Sequence, residues 1–212
     1  MKTLIWRTIP LALFLGAINS VPQAEAQTSR RLTSAGETAA AQLAQIDTVQ
    51  TRALAAAIRQ QDWNARRVEG APQLASRRAV APLTLALRDR SPIVRRLGAW
   101  GLSELRAAEA QHEVAPLLRD EAPEVRGEAA RALGDMDAKD YAGRIAVLLR
   151  DGSASVRVQA AHALGDLQHP GTRSALEAAL RDPDAAVRGK AGWALRRVAE
   201  AEKVLRRFGR RG

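Results

Sequence analysis

Between residues 80 and 199 the apolar positions of this chain fall into two alternating patterns. The first is a short stripe at i, i+3 and i+4. It is written as Leu83, Ala86 and Leu87; as Val114, Leu117 and Leu118; as Ile145, Leu148 and Leu149; and as Leu176, Ala179 and Leu180. That period predicts one buried helix face per unit. The second pattern opens on Val-Arg and reaches a pair of small residues four and five places after the Val. The pairs are Gly98-Ala99, Ala129-Ala130, Ala160-Ala161 and Ala191-Gly192. A large residue closes each pattern: Leu102, Leu133, Leu164 or Leu195. This predicts a second helix whose small side chains let a neighbour approach closely. Ser91, Ser153 and Asp184 stand where an N-cap belongs, with Pro92 at the first helical position. Ala122 is a weak cap, backed by Pro123. Residues with β-branched side chains never cluster into alternating runs, so no strand is predicted.

The units are copies of one another. RDRSPIVRRLGAWGLSELR, RDEAPEVRGEAARALGDMD, RDGSASVRVQAAHALGDLQ and RDPDAAVRGKAGWALRRVA begin at Arg88, Arg119, Arg150 and Arg181, 31 residues apart each time. A single helix pair cannot bury its apolar face alone, whereas pairs stacked at a fixed period share a continuous core. The pattern D-x-x-P-x-V-R-x-x-A-A-x-A-L-G resembles the HEAT-like repeats of the phycobilisome-lyase type, in four full copies. The resemblance implies an all-α fold, a right-handed α–α superhelix (α-solenoid) of stacked helix pairs. Leu54 to Val68, LAAAIRQQDWNARRV, reads as a degenerate fifth copy, with Leu54, Ile58, Arg59 and Arg66 echoing later positions at a shift of 29. Before it, Ser34-Ala-Gly-Glu37 is a capping-box signature opening an alanine-rich helix. Its Leu43, Ile46, Leu54 and Ile58 are expected to cover the first repeat, since the end of a solenoid must be covered. The expected organisation is a leader over residues 1–26, an N-terminal helical cap with the degenerate copy over 27–79, the array over 80–199, and a basic tail over 200–212.

Residues repeated in every unit serve what every unit must do, which is to stack. Asp89, Asp120, Asp151 and Asp182 recur with Arg95, Arg126, Arg157 and Arg188, and in similar repeats such side chains form ladders along the loops. Contact with the outside is expected where the copies disagree. On the second helices three irregular positions share one face at i, i+3 and i+7. They carry Leu97, Trp100 and Glu104; Glu128, Arg131 and Asp135; Gln159, His162 and Asp166; and Lys190, Trp193 and Arg197. The resemblance implies that second helices line the concave side, so these twelve residues are expected to form the wall of a groove for a protein or peptide partner. Trp and Arg are the types most enriched at binding hot spots. Packing offers another reading: Trp193 seals the last repeat, and Trp100 fills space beside Gly98 and Gly101. Arg131 and Asp135 would then be a solvated ion pair.

Charge and composition narrow the chemistry. The net charge is +10, but segment 80–195 holds sixteen basic and sixteen acidic residues, so the excess sits at the ends of the array. That distribution argues against a nucleic-acid solenoid, which needs a basic stripe. No cysteine is present, which excludes disulfides, thiolate nucleophiles and Cys-based metal sites. Deoxyhypusine hydroxylases resemble this repeat type and hold two irons with several His-Glu pairs; here His112-Glu113 is the one such pair, and His162 and His169 lie on other segments. The resemblance therefore carries over no metal ligand, no cofactor and no catalytic residue. A metal-dependent oxidoreductase or a phycobilin-lyase-like protein stands as the enzymatic alternative. At the C-terminus, Arg206, Arg207, Arg210 and Arg211 flank Phe208, which reads as a disordered solubilising end or as a contact with anionic membrane lipid or an acidic protein surface. The oligomeric state is not written in the sequence.

The first residues have the order of a secretory leader. Lys2 and Arg7 precede an apolar run from Ile9 to Ile18, and Ala24-Glu25-Ala26 supplies a small-x-small cleavage pattern. A periplasmic or secreted location is expected. The intact mass of protein recovered outside the cytoplasm should correspond to a chain starting near Gln27; a mass that retains residues 1–26 would overturn the leader.

Overall fold

The computed structural model describes residues 34–46, 49–64 and 76–208. The expected leader lies outside the described residues. Ten α-helices follow one another among those described: α1 Ser34–Gln45, α2 Val49–Gln60, α3 Val80–Ala86, α4 Pro92–Glu104, α5 Gln111–Val114, α6 Pro123–Asp135, α7 Ala142–Val147, α8 Ala154–Leu167, α9 Arg173–Ala179 and α10 Ala185–Phe208. Described residues contain no strand. The fold is an all-α solenoid in which α4, α6, α8 and α10 pack in series and α3, α5, α7 and α9 lie against them.

Each stretch predicted as a first helix is a short helix with 3-10 turns around it. In the second unit the α-helix stops at Val114, and Leu117 and Leu118 sit in the 3-10 segment Ala115–Arg119. Pro116 explains the change, because it has no N–H to continue the α ladder and its ring crowds the preceding turn. The apolar stripe is nonetheless buried in the first three units. Leu180, its last member, is 42% exposed, and Leu195 is only partly buried. Both belong to the last unit among the described residues, where no further described helix pair covers them.

Small residues set the helix spacing. A methyl added at Gly98 would come within 2.9 Å of the Leu83 carbonyl oxygen, and one at Gly134 within 2.9 Å of the Ala163 Cα. Ala129, Ala130, Ala160 and Ala161 are completely buried. Helices meeting at these points therefore touch backbone to backbone.

The loops are tied by a regular set of charge-assisted bonds. Arg95 donates through Nε and Nη2 to the two carboxylate oxygens of Asp120, both at 2.7 Å. Arg126 does the same to Asp151 at 2.7 and 2.9 Å, and Arg157 to Asp182 at 2.7 and 2.9 Å. The third corner of each guanidinium, Nη1, donates to loop carbonyls of its own unit, such as Asp89 O at 3.0 Å and Arg90 O at 2.8 Å for Arg95. Each Asp also accepts the backbone N–H two residues on: Ser91 N by Asp89, Ala122 N by Asp120, Ser153 N by Asp151 and Asp184 N by Asp182. One planar fork thus fixes its own loop and grips the next. This arrangement corrects part of the capping expectation. Asp184 caps through its side chain, accepting from Ala186 N and Val187 N. Ser91 and Ser153 make no side-chain cap, and the Ser91 hydroxyl donates instead to Gln61 at 2.9 Å. Bracing by the Asp makes Ala122 as serviceable at that place as Ser.

The N-terminal cap is itself a helix pair. Two helices, Ser34–Gln45 and Val49–Gln60, stand where a single helix was expected, and Thr51 Oγ1 donates to the Ile46 carbonyl at 2.6 Å. Helix α1 packs on α3 and α2 on α4, so α2 occupies the place of a second helix. Its end agrees: the Gln61 φ of 49° matches 46° at Arg106, 53° at Asp137 and 50° at Gln168, each just past a second helix. Asp62 N bonds to Ala57 O and Gln61 N to Ile58 O, the same pair of bonds that closes α4 and α6. The echo at a shift of 29, which aligns Leu54 with the first-helix residue Leu83, is therefore in the wrong register. Apolar residues at i and i+4 mark either helix of a pair equally well. Gly36 N donates to Asp89 Oδ2 at 2.9 Å, placing a carboxylate at the positive end of α1. At the other end, α10 runs to Phe208, so the boundary expected at residue 199 falls inside a helix.

The ladder predicts acid sensitivity. Hydrogen bonds from Arg126 hold the Asp151 carboxyl below the usual carboxylate range against the cost of burial, and Arg157 acts likewise on Asp182. A carboxyl lowered in the folded state contributes fully above its unfolded value, about 4, and that contribution disappears as pH falls through the folded value. Unfolding free energy should drop on acidification below about pH 4. Arg126→Ala should cost roughly 3 kcal/mol at pH 7 and shrink that acid limb. Denaturant midpoints across pH check both; an unchanged limb in the variant would refute the coupling.

Candidate functional site

The irregular positions of the second helices come together as a strip across α4, α6, α8 and α10, but not all of them face outward. Leu97 is completely buried and Trp100 is 7% exposed, so these two belong to the core and drop out of the expected groove wall. Glu128 is also buried, at 6% exposure, yet it is charged and partnered. Glu104, Arg131, Asp135, Gln159, His162, Asp166, Lys190, Trp193 and Arg197 are half-buried, with part of each side chain accessible.

Arg131 organises the middle of the strip. Its Nε donates to Glu128 Oε1 at 2.8 Å, its Nη1 to Asp135 and its Nη2 to Ser103 Oγ at 2.8 Å. The last bond crosses from α6 to α4. Burial opposes the Arg131 charge, but Glu128, Asp135 and Glu104 outweigh it, and its pKa is raised. This is no solvated pair: three side chains fix the guanidinium at once. Asp135 shows the other side of the balance. Burial pushes its carboxyl up, Arg131 pulls it down, and the Asp166 carboxylate one repeat away pushes it up again.

An aromatic and cationic group follows on α8 and α10. The His162 ring stacks on Trp193 with centroids 5.1 Å apart and planes 9° from parallel. Lys190 Nζ lies 4.9 Å from the Trp193 ring and the Arg197 guanidinium 5.3 Å from it, distances at which a cation is attracted to the ring face. Arg197 Nε donates to the Gly165 carbonyl at 2.8 Å, crossing from α10 to α8, and His162 Nδ1 sits 3.3 Å from Asp166 Oδ2. Trp193 fits because residue 165 is glycine; an added methyl would overlap its ring. Trp193 therefore packs the last two second helices together and keeps an accessible edge.

Sequence reasoning missed three members. Arg96 lies over Trp63 at 3.5 Å from the ring centroid, and its Nε is 3.5 Å from Glu128 Oε2. Ser103 receives Arg131. The signal for Arg96 was available, since the equivalent places hold Gly127, Val158 and Gly189 and the copies disagree there too. Trp63 lies in the connection after α2, where no repeat register could place it. Chemistry beyond recognition finds little to build on. His112 is exposed on α5 with its Nδ1 3.0 Å from Glu113, and among the described residues no three of His, Cys, Asp or Glu gather as metal ligands.

A family model described as HEAT repeats matches residues 80–143 and 141–207, together more than half of the chain. No curated protein matches it. Among solved structures the chain is similar to the complex of CpcE and CpcF of phycocyanin lyase from Nostoc sp. PCC7120, at 21% identity and a TM-score of 0.58, over 78% of this chain and 65% of that one. Human deoxyhypusine hydroxylase in complex with glycerol is similar at 23% identity and a TM-score of 0.53, over 78% and 62%. An engineered protein is similar at 20% identity and a TM-score of 0.50, over 78% and 79%. Identities this low show a shared fold. The chain spans less than two thirds of the lyase and hydroxylase chains that it matches.

The Gly165–Trp193 contact is testable by a double-mutant cycle. Gly165→Ala should cost roughly 1–3 kcal/mol, and in the Trp193→Ala background most of that loss should vanish. Additive losses in denaturant unfolding would show that the two residues are not coupled.

Proposed function

The chain belongs to the HEAT-repeat family, and on that premise we propose that it is an exported scaffold which binds a protein or peptide segment along the second helices. One observation carries the reading: the accessible side chains of the strip are held in place by contacts that cross from helix to helix. Arg131 is anchored to Ser103, His162 to Trp193 and Arg197 to Gly165 O. A surface made rigid before binding loses less side-chain freedom when a partner arrives. The strip also mixes an aromatic edge with arginine and carboxylate, the composition of binding hot spots rather than of a solvated helix face. Export rests on the order of charged, apolar and small residues in the first 26 positions. The phycocyanin lyase neighbour is itself a complex of two chains, which supports a protein partner and leaves its identity open.

The test avoids residues that hold helices together, since Trp100→Ala, Arg131→Ala or Trp193→Ala would disturb the packing. Purified chain and a Gln159→Ala/Lys190→Ala variant of matched unfolding midpoint are crosslinked in envelope extract, and captured proteins are compared. The proposal expects a discrete partner recovered by the parent chain and depleted at least about tenfold with the variant, as hot-spot truncations above 1.4 kcal/mol imply. Equal recovery by both would remove the strip as the binding surface.

A further inference from the structure

Helix α10 does not stop where α4, α6 and α8 do. The residue equivalent to Arg106, Asp137 and Gln168 is Ala199, and there the helix continues for nine more residues. The segment AEAEKVLRRF is made almost wholly of strong helix formers. Arg173, at the start of α9, ties it down, donating through Nε and Nη2 to Glu202 at 3.1 and 2.7 Å.

The extension has two unlike faces. Ala201, Val204 and Leu205 are spaced i, i+3 and i+4, and Phe208 is next in the series at i+7. Val204 is 48% exposed and Leu205 60%, the latter among the most exposed large apolar side chains described. With Leu167 and Pro170 they line a groove of about 580 Å3. The polar face carries Lys203, Arg206 and Arg207, all exposed, and Arg210 and Arg211 follow in the sequence. Part of this charge is compensated on the helix itself: Glu202 is shared by Arg173 and Arg206, at 2.7 and 3.2 Å, and Lys203 lies 3.1 Å from Glu200, so two carboxylates stand against Arg173, Lys203, Arg206 and Arg207. Segment 196–212 holds seven basic residues against two acidic ones, while the array is neutral.

We propose that residues 199–208 of α10 form an interfacial element that docks the protein on an anionic phospholipid surface. An apolar stripe backed by a cationic face is the pattern of a helix that lies in the headgroup layer. Long basic side chains reach the phosphates while their stems lie along the apolar boundary. A second copy is a poor occupant: two exposed aliphatic side chains offer far less than the roughly 800 Å2 per partner of a stable interface, and both copies would bring the same positive charge. No described helix is long and apolar enough to cross a membrane, so attachment here is peripheral.

The full chain is sedimented with vesicles of phosphatidylcholine alone and of phosphatidylcholine in which phosphatidylglycerol makes up about one third of the lipid. Binding contributed by residues 1–33 is common to all variants and cancels in the comparison. The proposal expects a clear preference for the anionic vesicles, weakened about thirtyfold by Arg206→Gln/Arg207→Gln and about tenfold by Leu205→Glu. These side chains are exposed, so unfolding midpoints should match the parent; Leu205→Ser replaces Leu205→Glu where they do not. Equal binding to both vesicles, no binding to either, or a preference that survives both variants would overturn it. So would complete displacement by inorganic phosphate at constant ionic strength, which would mark a site for the free anion.

Discussion

Everything in this molecule depends on one side chain reaching from each loop to the next. A guanidinium presents two parallel donors on one edge and a third corner on the other. Arg95, Arg126 and Arg157 each spend the third corner on carbonyls of their own loop and the parallel edge on the following Asp. Because the same Asp also accepts a backbone N–H in its own loop, the position of one unit is passed on to the next. The pairs are mostly shielded from water, so their loss would leave a carboxylate without its counter-charge. Small residues on the second helices then decide how close the stacked units come, and the apolar stripe fills what remains.

The two ends of the array are solved differently. At the first, Asp89 receives the N-terminus of α1, and a helix pair of irregular sequence closes the core. At the last, Arg188 makes the usual bonds to Asp182 O and Pro183 O, but among the described residues no carboxylate takes its other edge. Among the described residues no further loop follows, and α10 continues to Phe208. Among those residues no next unit packs on the last pair either, and Leu180 is 42% exposed.

Burial reshaped the expected binding face. Residues at equivalent places on the second helices do not share one fate: Leu97 is enclosed while Lys190 at the other end is half-buried. Helix α2 of the N-terminal pair packs against α4. Leu54 of α2 reaches within 3.2 Å of the point where a Gly101 methyl would lie, and Trp63 lies beneath Arg96. Accessible residues are therefore concentrated on α6, α8 and α10, where Arg131, His162 and Trp193 are each held by a neighbour.

Periodicity alone was enough to specify helix pairs, their 31-residue repeat and the buried stripes, because burial of one helix face imposes a spacing that any reader of the chain can count. It also separated the repeated Asp and Arg from the variable positions, though not the geometry that joins Arg95 to Asp120 rather than to the Asp of its own unit. Tertiary structure decided the rest: that α2 is a second helix, that Trp100 is core, that Arg96 and Ser103 belong to the strip, and that the basic end is helical to Phe208. Each of those depends on which side chains from distant segments arrive at the same place. Spacing along one helix records only which residues share a face, and the neighbour on that face is chosen by packing.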